Sequence, residues 1–209
     1  MVGQGVLREC LLDHDIERVL SIVRSPSGQR DPKLRELVHA NFFDFSPIEK
    51  ELTGYDATFF CLGATSAGKT EAQYSRITYD ITMAAAKPLA RLNPGMTFVF
   101  VSGASTDSTE RGRVMWARVK GKTENALLAL PFKAAYMFRP GVIQPMHGIK
   151  SRTALYRIPY LILQPLIPFL TKRFPNYVTT TQQLGRAMIS AAKHGAPKTV
   201  LESADINKL

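Results

Sequence analysis

Met96-Thr-Phe-Val-Phe-Val-Ser102 is the stretch on which the fold turns. Phe98, Val99, Phe100 and Val101 run without a polar interruption, and such a short run of aromatic and β-branched residues is a strand buried on both faces. Helical patterns stand on either side of it. Upstream, residues 71–92 place Tyr74, Ile77, Ile81, Ala84 and Ala85 at helical spacing, with Pro88 as a kink or boundary. Downstream, residues 113–130 predict a helix with Val114, Ala117, Gly121 and Leu127 inward, followed by a strand at 133–138 that Arg139-Pro-Gly141 stops.

The same alternation extends outward. Val6, Leu7, Cys10 and Leu11 form one face of a helix that begins within the first residues. Strands are predicted at 18–24, 37–43 and 56–62, the last followed by Gly63, and a short one at 199–201. A helix over 181–194 has Thr180 or Thr181 as its cap and Gly195 as its stop. Strands alternating with helices, several of them apolar on both faces, predict an α/β protein with a buried parallel sheet.

Composition narrows the function classes. The chain has 209 residues, of which 45% are hydrophobic and 21% charged, so a globular core is expected and disorder is excluded as the main state. Two cysteines and four histidines exclude a disulfide scaffold and a Cys/His zinc site, and no metal site is expected. The first ten residues lack a basic head and apolar run, so no signal peptide is read there and a reducing, cytoplasmic location is expected. The net charge of +10 favours a polyanionic partner. Nucleic acid is not the expected one, because no groove-reading motif or aromatic stacking platform accompanies the charge.

Gly63-Ala-Thr-Ser-Ala-Gly68-Lys69-Thr70 matches the phosphate-binding pattern GxxxxGK[ST] between a predicted strand and a helix. The strand at 96–102 ends in Ser102, where such a protein would carry a metal-orienting Asp. A phosphotransferase built on 63–70 therefore stands as an alternative reading.

A wider set of motifs spans nearly the whole chain: Gly3 opening a helix, 19–23 followed by Arg24, Asn41-Phe-Phe-Asp44, Phe60-Cys-Leu-Gly63, Phe98-Val-Phe-Val-Ser102, Trp116-Ala-Arg-Val-Lys120-Gly-Lys-Thr-Glu124 and Phe138-Arg-Pro-Gly141. In this order they resemble the atypical short-chain dehydrogenase/reductases, the NAD(P)-binding, epimerase-like group that includes the Tat-interacting oxidoreductase-like proteins. The resemblance implies a Rossmann-like, doubly wound parallel sheet in one domain spanning 1–209, and hydride transfer on a small carbonyl or sugar-like substrate. It implies cofactor contacts from Gly3, Arg24, Asp44, Gly63, Lys120 and Arg139, with Arg24 favouring NADP over NAD. Its catalytic positions fall on Ser102, Trp116 and Lys120. Trp116 stands where the family has its proton-transferring Tyr, and an indole N–H cannot act as that acid. A non-catalytic dinucleotide sensor or scaffold is therefore a further alternative.

The family opens with a strand and a Gly-rich turn, of which this sequence shows only Gly3. The expectation is that the first strand is absent, from a start codon set too far downstream, and that the chain as written binds dinucleotide poorly or is unstable. Residues 142–180 are expected to form a substrate-side lobe. Within it, 152–175 is the most apolar run, too short between charges to span a bilayer, and is read as a core-covering pair of helices, a lid or a weak membrane-surface contact.

Overall fold

The structure, a computed structural model, describes residues 1–149 and 176–209. The expectations for 152–175, and most of those for the lobe at 142–180, lie outside the described residues. Helix α1 (Val2–Leu12) is followed by strands β1 (Val19–Val23), β2 (Leu34–Val38) and β3 (Ala57–Phe60), with a 3-10 turn at Ser46–Leu52 between the last two. α2 (Glu71–Ser75), a π turn (Arg76–Asp80) and α3 (Ile81–Leu92) then form one continuous helical rod. β4 (Thr97–Val101), α4 (Met115–Leu128), β5 (Ala134–Arg139) and β6 (Val142–Gln144) come next. The chain continues with β7 (Val178–Thr180), α5 (Thr181–His194), β8 (Val200–Glu202) and α6 (Ser203–Ile206).

Every strand pairing is parallel: β1 with β2, β3–β4–β5–β8 in that order, and β6 with β7. Helices cover both faces. On one, Phe60, Phe98, Phe100 and Met137 pack against Ile81, Ala85 and Leu89 of α3 and Leu127 of α4. On the other, Val99, Phe138 and Leu201 pack against Val6 and Cys10 of α1 and Leu184 and Met188 of α5. Burying side chains of this size contributes about 1.5–3 kcal/mol each.

The pair β1–β2 lies in the same layer. Leu20 and Ile22 join the first core and Val19 the second, as alternate residues of β3 and β4 do. Arg18, just before β1, donates to the carbonyl of Gly54 at 2.5 Å and lies 5.0 Å from the ring centroid of Tyr55, just before β3. The two strands thus start level and run the same way. Among the described residues no ladder joins them, however: β1 is bonded to β2, and β3 to β4. Both flanks of this gap are half-buried, whereas β4 is buried along nearly its whole length.

Most predicted elements lie within a residue or two of their observed bounds. The strand expected at 37–43 is displaced to Leu34–Val38. Asn41 Oδ1 accepts from the Phe43 amide at 3.1 Å and Asp44 Oδ1 from the Ser46 amide at 2.9 Å, and these local bonds hold 39–46 in a turn. β6 and β7 are too short to have announced themselves in the sequence.

Close helix packing fixes α1. A Cβ added at Gly5 would sit 2.8 Å from both Cβ and the carbonyl oxygen of Thr181, whereas one added at Gly63 meets nothing within 4 Å. Gly5→Ala is expected to destabilise the protein by about 1–3 kcal/mol in urea titration, and Gly63→Ala to change stability by less than about 0.5 kcal/mol.

Candidate functional site

The gap between β1 and β3 is also where the winding reverses. From β1 the chain steps outward to β2; from β3 it steps the other way through β4, β5 and β8. In open parallel sheets the crevice at the carboxyl ends of the strands beside such a reversal is where ligands bind. The N-terminus of α1 lies there, since a Cβ on Gly3 would come 3.4 Å from Cβ of Cys61, just past β3. The first turn of α1 carries no acid, so its amide dipoles favour an anion there. Arg24 is exposed at the end of β1, and Gly63 is exposed and sterically open beyond β3. Asp44 is exposed in the turn beyond β2, and the hydrogen bond from Ser46 holds its carboxyl below the usual carboxylate range.

The other expected residues gather at the ends of β4 and β5. Lys120 donates through Nζ to the Ser102 carbonyl, and Nζ lies 4.0 Å from the Cβ position of Gly103. Burial pushes the Lys120 ammonium down to about 8, with the Glu124 carboxylate pulling the other way. Trp116, half-buried, is four residues before Lys120 on α4 and so shares its side of the helix.

Ser102 and Arg139 are held by a group the sequence reading did not single out. Glu124, 1% exposed, accepts from Ser102 Oγ at 2.5 Å and from Arg139 Nε at 3.1 Å on each carboxylate oxygen. It also forms an ion pair with the Arg139 Nη2 group, which reaches Ser108 Oγ at 2.5 Å. The Ser102 hydroxyl proton and most of the Arg139 fork are therefore engaged inside the protein. The available signal was the Lys120/Glu124 spacing of four on a helix whose intervening Gly121 and Thr123 are buried.

The structure thus brings Ser102, Lys120, Trp116 and Arg139 to one side of the gap, with Gly3 and Gly63 beside it. Arg24 and Asp44 stand on the β1–β2 side, and no hydrogen bond or ion pair among the described residues joins them to the Ser102 cluster. In the loop 63–70, Thr70 Oγ1 accepts from the Gln73 amide at 3.3 Å and caps α2, so this hydroxyl is spent on the helix rather than offered to a metal. Among the described residues no group of three or more His, Cys, Asp or Glu could hold a metal ion. No helix among them is long and apolar enough to cross a membrane.

No known family model matches the sequence. Among curated proteins, the chain is 29% identical over 160 residues to Protein FMP52-2, mitochondrial, of Scheffersomyces stipitis, covering 74% of this chain and 66% of that protein. It is 25% identical to Protein FMP52, mitochondrial, of Meyerozyma guilliermondii, covering 97% of this chain and 87% of that one. In the first three such matches the chain spans 66%, 54% and 62% of the relative's length. These mitochondrial names overturn the expectation of a cytoplasmic protein. Among solved structures, the enzyme WbmG of Bordetella bronchiseptica, in complex with NAD, superposes with a TM-score of 0.64 at 12% identity, over 100% of this chain and 72% of that one. A short-chain dehydrogenase/reductase superfamily protein of Agrobacterium tumefaciens with bound NAD gives 0.61 at 14% identity, over 100% and 77%. The architecture is accordingly a Rossmann-like α/β fold.

Proposed function

We propose that the protein binds a nicotinamide dinucleotide at the carboxyl ends of β1 and β3 and belongs functionally with the NAD(P)-dependent oxidoreductases and epimerases. The observation that carries this reading is the N-terminus of α1 beside Cys61, at the point where the sheet winding reverses. The residues present fit the group: bare Gly3 and Gly63 allow close approach, and the α1 dipole and Arg24 supply charge for phosphates. When bound, the cofactor supplies hydride chemistry for a small carbonyl or sugar-like substrate. Lys120 would hold the nicotinamide ribose, and Arg24 would select NADP through its 2′-phosphate.

Two departures weaken proton transfer at the substrate. Trp116 offers no ionisable group, and the Ser102 hydroxyl is bonded to Glu124. These favour a second reading, a non-catalytic dinucleotide-sensing or scaffold protein on the same fold. The gap between β1 and β3 is proposed as the seat of one more parallel strand, and a mitochondrial location follows the names of the relatives.

Trp116→Tyr is the direct test of the enzymatic reading. The variant is expected to oxidise NADPH with at least one member of a panel of small carbonyl compounds, at a rate at least tenfold above the parent. Intact NADP binding with no gain in turnover would select the scaffold reading.

Lys120 gives a second test through pH. Its folded pKa of about 8 lies below the ~10.4 of a free lysine. The unfolded chain therefore binds more protons between these values, and the Lys120 contribution to stability rises with pH across that window. Urea titrations should show the parent gaining stability relative to Lys120→Met between pH 8 and pH 10. A difference that stays constant with pH would remove Lys120 from its buried, ribose-facing setting.

A further inference from the structure

Lys120 is a desolvated amine without an acid of its own. Among the described residues it belongs to no ion pair. The carboxylate one turn further along α4, Glu124, is held by Arg139 on both oxygens and accepts from Ser102 Oγ as well. The hydrogen bond that Lys120 Nζ does make runs to a neutral group, the Ser102 carbonyl. An ammonium taken out of water loses hydration energy, and without a paired carboxylate that loss is not offset, so burial favours the uncharged amine. This is why the Lys120 ammonium is pushed down to about 8, against the pull of Glu124. At neutral pH its uncharged fraction exceeds that of a free lysine on the order of a hundredfold.

The amine is still within reach of solvent. Lys120 is half-buried, whereas Ser102 and Glu124 are buried. Gly103 stands beside it without a side chain: the Cβ position there lies 4.0 Å from Lys120 Nζ and 3.9 Å from the Pro140 carbonyl oxygen, so the approach on that side is bare. An uncharged amine that donates one N–H to the Ser102 carbonyl keeps its lone pair. Trp116, one turn earlier on the same side of α4, adds apolar surface next to it. A desolvated lysine of this kind is a nucleophile toward carbonyl compounds. Neither holding a ribose nor hydride transfer makes use of that nucleophilicity.

We propose that Lys120 captures a small apolar aldehyde as a reversible imine. The Nζ lone pair attacks the carbonyl carbon and a C–N bond forms, while nitrogen gives a proton to solvent and the carbonyl oxygen takes one up. The hydroxyl of this carbinolamine, protonated by solvent, leaves as water; the C–O bond breaks, the C=N bond forms and nitrogen gives up its second proton. One amine and one aldehyde become one imine and one water, with nothing oxidised or reduced, and hydrolysis runs the same steps backward. This chemistry does not require a dinucleotide. A bound dinucleotide whose ribose engages the same amine would compete with it.

Treating the full chain with propanal and sodium cyanoborohydride at neutral pH tests the proposal, because the reductant fixes an imine as N-propyl-lysine that peptide mass spectrometry locates. Lys120 is expected to be propylated at least tenfold faster than the exposed Lys50 and Lys122. These two lysines are controls within the same molecule, so the comparison needs no variant to fold. The preference should vanish in urea-unfolded protein, and dialysing propanal away before adding the reductant should leave Lys120 unmodified. Protection by saturating NADP would place the ribose on the same amine and keep both proposals. Preferential labelling in a protein that does not bind NADP would keep this one and end the dinucleotide reading. Labelling of Lys120 no faster than of Lys50 and Lys122, a preference that persists in urea, or an adduct that survives dialysis would overturn it.

Discussion

The hydrogen-bond ladder that is missing between β1 and β3 governs the rest of the structure. Two parallel ribbons share both hydrophobic cores and start level through Arg18, yet no backbone bonds join them. The facing strands are half-buried, and a backbone group left without a partner in such a setting costs about 1–3 kcal/mol. The layer is held across the slot from its two faces, by α1 and α5 on one side and by the α3 core on the other. Tight contacts such as Gly5 against Thr181 and Gly185 against Glu9 keep α1 seated, with its N-terminus at the strand ends.

The second organising element is the buried Glu124–Arg139 pair. A carboxylate 1% exposed is tolerable only with a bidentate cation and further donors, and Ser102 is drafted as one of them. The same cluster fixes the ends of β4 and β5 and leaves Lys120 bonded to the Ser102 carbonyl. The chemistry legible in the motif order and the chemistry available from the side chains therefore diverge. The Rossmann-like scaffold is present, whereas the Ser102 hydroxyl is bonded to Glu124 and Trp116 stands four residues before Lys120 on α4.

The fold was largely legible because its signals are local and strong. The apolar run of β4, the helical spacing of 71–92 and the Thr180 and Gly195 boundaries of α5 each specify one backbone state. What was not legible depends on contacts between distant residues. The turn after β2 shortens its strand through Asn41 and Asp44, β6 and β7 exist only because they pair with each other, and Glu124 acquires its role from Ser102 and Arg139, 22 and 15 residues away. The contact of Arg76 with the exposed Phe43 ring likewise emerges only when the β2 turn and the α2–α3 rod meet.

The central claim is that the slot between β1 and β3 limits both stability and dinucleotide binding. It is tested most directly by comparing the parent chain with one carrying a five-residue Val/Ile strand and a glycine-rich turn fused ahead of Met1. The account predicts a higher thermal midpoint together with at least tenfold tighter NADP binding in the fused protein. An unchanged midpoint and unchanged affinity would contradict it.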